Sequence, residues 1–323
     1  MLLFGLEPDC RLAAALAAEL GVALAPHEHR RFEDGEEKLR PLVDPAGADA
    51  YVLLGLHGDA TDSPHDKLLR LLMFVATLRD HGAARVTALV PYLAYARKDR
   101  RTKPFDPLGL RVVAQLFEAV GPDRVVVLEA HNLAAFQNAF RSPTVHLEAH
   151  RAFDLAWERE LAPRVGDRPL AVASPDPGGV KRAQLWREAL EQRLARPVGF
   201  AMVDKRRSAG VVSSERLVAG EVAGATVLLL DDLIASGETL RRAAHALRRA
   251  GAHEVLALAA HGLFVGAAAE HLADPDLAAV LVTDSVAAAR LPSDGPVTAK
   301  LRVVSAAPLF AEVIRACRPG RPD

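Results

Sequence analysis

Short apolar runs alternate with amphipathic stretches along almost the whole chain. The runs predict strands at Leu2–Leu6, Tyr51–Leu56, Arg85–Val90 and Arg124–Leu128 in the first half, and at Leu170–Ser174, Val198–Val203, Thr226–Leu230, Val255–Ala259 and Ala279–Val282 in the second. Each is nearly continuous in apolar residues, as parallel strands covered on both faces are. Between them, apolar positions at helical spacing predict helices at Asp9–Leu20, Asp66–His81, Pro107–Val120, Gly178–Leu194 and Gly237–Ala250. Strand–helix alternation of this kind predicts α/β architecture with mostly parallel, twisted sheets flanked by helices. The seam falls near residues 148–168, so two domains of similar size are expected, 1–150 and 151–323.

Composition changes this picture little. Of 323 residues, 50% are hydrophobic and 25% charged, an ordinary globular balance. A formal charge of −1 excludes a general nucleic-acid binder, which needs many phosphate-neutralising cations. Two distant cysteines, Cys10 and Cys317, fit a reducing compartment. The first residues carry no secretory pattern and no apolar stretch is long enough to cross a bilayer, so a cytoplasmic protein without membrane contact is expected.

In open α/β sheets the chemistry sits at the carboxyl ends of strands. The run before Asp231-Asp232 is such an end, and Ser236-Gly237-Glu238-Thr239 then opens a helix. Free backbone N–H groups of Ala235–Thr239 can surround a phosphate, helped by the helix dipole and by the Ser236 and Thr239 hydroxyls. Asp231 and Asp232 disfavour phosphate; they suit ribose hydroxyls or a divalent metal. A plain N-cap accounts for Ser236 and Thr239, but not for two consecutive acids closing an apolar strand.

Five further stretches lie at strand ends or turns. Val90–Lys103 packs five cations and one acid into residues 97–103, after Tyr92 and Tyr95; it reads as a solvated loop or as a polyphosphate site. Arg31–Arg40 holds an Asp34-Gly35 turn signal and reads as a hairpin. His131 follows the strand Arg124–Leu128, and a lone histidine there is structural or a ligand. Asp176 precedes Gly178-Gly179, either as an N-cap or as a metal and ribose ligand. Lys205, Arg206 and Arg207 follow the strand at Val198–Val203, as a charge-protected edge strand or as a mobile basic loop that steadies a transferring phosphoryl group.

Taken together and in order, RFEDGE, PYLAYARKDRR, AHNLAAFQNAF, SPDPGGVKRA, DKRR and DDLIASGET resemble the ribose-phosphate pyrophosphokinase (PRPP synthetase) family over essentially the whole chain. The resemblance implies two phosphoribosyltransferase-like domains per subunit, with a closing helix at about 305–317 packing on the first. It implies transfer of the β,γ-diphosphoryl group of MgATP to the 1-hydroxyl of ribose 5-phosphate, giving PRPP and AMP in nucleotide biosynthesis. Homo-oligomers, dimers assembled into hexamers, are implied as well. By the same resemblance Arg97, Lys98, Asp99 and Arg101 contact ATP, and Phe32, Asp34 and Glu36 reach its adenine end from an adjacent subunit. His131 and Asp176 hold magnesium, Lys205 and Arg207 are catalytic, and Asp231, Asp232, Ala235, Ser236, Gly237, Glu238 and Thr239 bind ribose 5-phosphate. The chain departs from the family pattern at Lys98, Glu129, Ala235 and Glu238. A phosphoribosyltransferase that consumes PRPP and a catalytically silent regulatory paralogue are the competing readings.

Overall fold

The computed structural model describes residues 1–8, 10–208 and 211–317, with the backbone alone for 205–208 and 211–216. The chain divides into two compact units, residues 1–148 with 305–323 and residues 149–304.

The first unit is built on a five-stranded parallel sheet. Its strands are β1 (Leu2–Gly5), β4 (Asp49–Leu53), β5 (Arg85–Val90), β6 (Arg124–Leu128) and β7 (Thr144–Leu147), side by side in that order. A separate antiparallel hairpin, β2 (His27–Arg31) and β3 (Glu37–Pro41), sits between β1 and β4 in sequence. The helix Pro64–Asp80 starts two residues earlier than its apolar pattern predicts, because its cap lies outside that pattern. The Ser63 hydroxyl accepts from the Asp66 N–H at 3.2 Å, the Asp66 carboxylate accepts from the Ser63 N–H at 2.7 Å, and Pro64 needs no acceptor at the first helical position. The last helix, Ala307–Ala316, packs against Arg11–Leu20.

The second unit is a seven-stranded sheet. In chain order its strands are β8 (Leu170–Ser174), β9 (Val198–Ser208), β10 (Val211–Gly220), β11 (Thr226–Ile234), β12 (Glu254–Gly262), β13 (Ala279–Thr283) and β14 (Leu301–Val304). Across the sheet they run β10-β9-β8-β11-β12-β13-β14, all pairs parallel except β9 with β10. The central strands β8 and β13 are buried at every position, the expected fate of strands covered on both faces.

Three differences from the sequence pattern matter. The edge strands β7 and β14 escape the apolar-run criterion because they are short and half exposed. The basic stretch after Val203 is strand rather than loop: β9 continues to Ser208 and pairs with β10. The strand carrying the acid pair runs four residues past Leu230, because β12 keeps pairing with it up to Ile234↔Gly262.

Candidate active site

That extension builds the acid pair. From Thr226 to Leu229, β11 is flanked by β8 and β12; beyond Leu229 only β12 remains alongside. The opened edge leaves Asp231 and Leu233 half-buried, while Asp232 and Ile234 stay buried in strand alternation. The Asp231 carboxylate accepts from the Asp232 N–H at 2.8 Å. Burial, and after it the charge of Asp232, pushes the Asp231 carboxyl well above the usual aspartate range, with Arg182 pulling the other way. A carboxylate pair in this condition favours a partner that brings hydroxyl donors or positive charge.

The chain then turns over Ala235–Gly237 into the helix Glu238–Arg249. Gly237 has φ +75°, a conformation that favours glycine, and a Cβ there would press on Leu272 at 3.0 and 3.1 Å. No side chain caps this helix, and the N–H groups of its first turn have no acceptor inside it. An anion is what such an end accommodates. Glu238 stands in the same turn, yet its carboxylate is drawn to the helix flank, with Arg241 at 2.8 and 3.0 Å and Arg242 also bound. Arg241 first, with Arg242 after it, holds Glu238 at a pKa of about 2. The acid therefore brings its own countercharges.

Beside β11, β8 ends at Ser174 and the chain makes the turn that carries Asp176. Asp176 is exposed, and its Oδ1 accepts from Gly178 N–H at 2.8 Å and Gly179 N–H at 3.2 Å. The N-cap role is thus realised. The paired glycines answer to neighbours within the protein: a Cβ on Gly179 would lie 2.7 Å from Ser174 Oγ and 3.9 Å from the Leu230 carbonyl. Arg182, close to this turn and acting on Asp231, carried no strand-end signal and went unmarked in the sequence reading.

In the first unit two of the predicted clusters come together. Asn132 Nδ2 donates to Asp99 at 2.7 Å, tying the loop after β6 to the basic loop after β5. Asn132 also caps the helix Leu133–Ala139. His131 beside it is exposed, and Glu129, at φ +46°, is buried. Lys98 donates to Asp106 at 2.7 Å, and Asp106 also accepts from the Thr102 and Lys103 N–H groups, closing residues 98–106 into an internally bonded loop. Lys98 foremost holds the Asp106 carboxyl well below the usual range. Arg101 donates to the Asp106 carbonyl at 3.1 Å, while Arg97 is exposed.

Phe32, Asp34 and Glu36 form the exposed tip of the β2–β3 hairpin, turning at Gly35 with φ +93°. Asp34 Oδ1 accepts from the Glu36 N–H at 3.1 Å, and the Arg30 guanidinium lies 4.9 Å from the Phe32 ring centroid. Lys205 and Arg207 have their backbone in β9; their side chains lie outside the described residues. Asp176, exposed in the second unit, offers a carboxylate of the oxygen type that a magnesium ion keeping most of its water accepts, and His131 is exposed in the first unit. Among the described residues two tighter groups of ligand-type side chains occur, Glu7–His57–Asp59 and His245–Asp274–Asp276, and neither includes His131 or Asp176. No helix among them is long and apolar enough to cross a membrane.

One unit runs an acid pair into an uncapped helix start and the other carries a basic loop after β5, the features of a class of enzymes that handle phosphorylated sugars and nucleotides. Residues 1–121 match the N-terminal domain of ribose phosphate pyrophosphokinase, and residues 214–320 match the phosphoribosyl synthetase-associated domain. The chain is 36% identical over 306 residues to a ribose-phosphate pyrophosphokinase of Caldanaerobacter subterraneus subsp. tengcongensis, covering 94% of this chain and 90% of the relative. It is also 36% identical over 316 residues to that of Agrobacterium fabrum, covering 97% and 96%. The crystal structure of phosphoribosylpyrophosphate synthetase from Mycobacterium smegmatis superposes with a TM-score of 0.82 at 31% identity, over 98% of this chain and 97% of that one. The chain belongs to the ribose-phosphate pyrophosphokinase family.

Proposed function

We propose that the protein is a ribose-phosphate diphosphokinase: the 1-hydroxyl of ribose 5-phosphate attacks the β-phosphorus of ATP, AMP leaves, and PRPP is formed. The observation that carries this reading is β11 running its acid pair directly into an uncapped, glycine-turned helix start. In this reading the N–H groups of Ala235–Thr239 with the Ser236 and Thr239 hydroxyls hold the 5-phosphate, and Asp231 and Asp232 take the ribose hydroxyls. The basic loop with Arg97, Lys98, Asp99 and Arg101 binds the ATP polyphosphate; its internal bonds through Asp106 and Asn132 set Lys98, Asp99 and Arg101 in advance, lowering the ordering cost of binding. His131 and Asp176 are each assigned to magnesium. That ion, when bound, neutralises charge on the diphosphoryl group.

Phosphoryl-type transfer asks little covalent work of a protein, so position and charge dominate. Lys205 and Arg207 are assigned to the charge that develops on the transferred group. Phe32, Asp34 and Glu36, exposed at a hairpin tip, are assigned to the adenine end of a nucleotide held by a neighbouring copy, which makes a homo-oligomer the active form. A cytoplasmic site of action suits both substrates.

A phosphoribosyltransferase would have no use for the second, basic loop. A silent paralogue would not need to keep Asp231, Asp232, His131, Asp176, Lys205 and Arg207. Steady-state kinetics of Lys205→Ala test the reading: turnover should fall about a hundredfold or more with the KM for ribose 5-phosphate within about threefold of wild type. Near-wild-type turnover would sink it.

A further inference from the structure

We infer that His271 is a positioning residue for the phosphate loop, acting through the Ser236 carbonyl; the inference rests on the assignment of Ala235–Thr239 to ribose 5-phosphate. The short helix Ala268–Leu272 sets two successive side chains against the turn. Leu272, wholly buried, walls off the space in which a Cβ of residue 237 would stand. His271 Nδ1 lies 2.7 Å from the Ser236 carbonyl oxygen. A carbonyl only accepts, so Nδ1 carries the proton and donates.

The consequence follows from peptide geometry. The carbonyl of Ser236 and the N–H of Gly237 share one planar trans peptide and point in opposite directions. Holding the carbonyl toward the helix Ala268–Leu272 therefore aims the Gly237 N–H away from it, leaving that donor to the phosphate under the assignment of this loop. The other edge of His271 faces the same turn's acid: Nε2 is 3.4 Å from Glu238 Oε2, a pair that holds when Nε2 carries a proton as well, and Glu238 is bound by Arg241 and Arg242. The chain Arg241–Glu238–His271–Ser236 thus converts the acid in the phosphate loop into a brace for one of its donors. Without it the turn must be ordered when the sugar phosphate binds, which weakens affinity without touching the reacting atoms.

The test is steady-state AMP formation by the full-length chain with magnesium, ATP and ribose 5-phosphate, comparing three variants alongside their thermal midpoints. His271→Asn places a side-chain amide donor where Nδ1 stood, whereas His271→Gln keeps a polar group near Glu238 and loses the reach to Ser236. We expect His271→Ala and His271→Gln to raise the KM for ribose 5-phosphate about tenfold, as loss of one preorganised hydrogen bond does, with the KM for ATP nearly unchanged. His271→Asn should remain within about threefold of wild type. An unchanged ribose 5-phosphate KM in the Ala and Gln variants overturns the inference, as does a Gln variant that outperforms Asn. If the His271→Ala chain does not fold, the Asn–Gln contrast decides alone. A wild-type chain whose AMP formation ignores ribose 5-phosphate overturns the underlying site assignment instead.

Discussion

Asp231 carries an electrostatic burden that only function explains. Burial and the neighbouring Asp232 raise its pKa, so the folded chain holds its proton more tightly than the unfolded chain. The linkage has one sign: stability is fullest below the unfolded value of 3.8 and is lost as pH rises through the folded value. At neutral pH the buried acid pair therefore costs stability, and Asp231→Asn, which still accepts from the Asp232 N–H, removes that cost. We expect this variant to be more stable than wild type by roughly 1 kcal/mol at neutral pH, with the gap closing in acid, while turnover falls about a hundredfold. Thermal midpoints from acid to neutral pH check it, and a lower midpoint at neutral pH would refute the strain. Much at this scale was legible beforehand. The acid pair ending an apolar run marked the site, whereas the ion pairs of Glu238 with Arg241 and Arg242, though at helical spacing, formed no part of that reading. The bonds of His271 to Ser236 and Asn132 to Asp99 were not legible, since they join segments whose approach only the fold decides, and that of Lys98 to Asp106 depends on how the loop 98–106 closes.

Among the elements, the β2–β3 hairpin depends on charges that its own sequence does not reveal. Its Asp34-Gly35 turn was readable from local chemistry. Its anchor is Glu37, which accepts from Arg70 at 2.7 and 2.9 Å and from Arg31 at 2.6 Å, while Arg70 also reaches Asp62 at 2.9 Å. Arg70 is 2% exposed on the helix Pro64–Asp80, where a periodicity argument puts an apolar residue. Arg70 first, with Arg31 beside it, lowers the Glu37 pKa from 4.5 to about 2. Stability from this pairing is present above pH 4.5 and is lost as pH falls toward 2. Glu37→Gln should lose about 2–3 kcal/mol at neutral pH, since it strips a buried guanidinium of one partner, and its stability should be flatter across that acid window. Denaturant unfolding at neutral pH and in acid measures both; equal stability at neutral pH would mean that the hairpin is held otherwise. The strand extensions were hidden for a related reason. β11 and β9 outrun their apolar stretches because neighbouring strands continue to pair with polar residues.

Over the whole molecule, alternation of apolar runs and amphipathic stretches was enough to read α/β architecture with mostly parallel sheets, because parallel strands buried on both faces have few sequence alternatives. The grouping of Ser305 onward with the first unit is beyond periodicity, which carries no information on which sheet a helix returns to. The central claim also lives at this scale: one chain carries both a sugar-phosphate loop and a nucleotide loop and joins their ligands. Incubation of the full-length chain with magnesium, ATP and ribose 5-phosphate, following AMP and PRPP together, tests it directly. AMP and PRPP should appear in equal amounts, only when ribose 5-phosphate is present, and chelation of magnesium should stop both. No AMP, or AMP released without ribose 5-phosphate, would contradict the account.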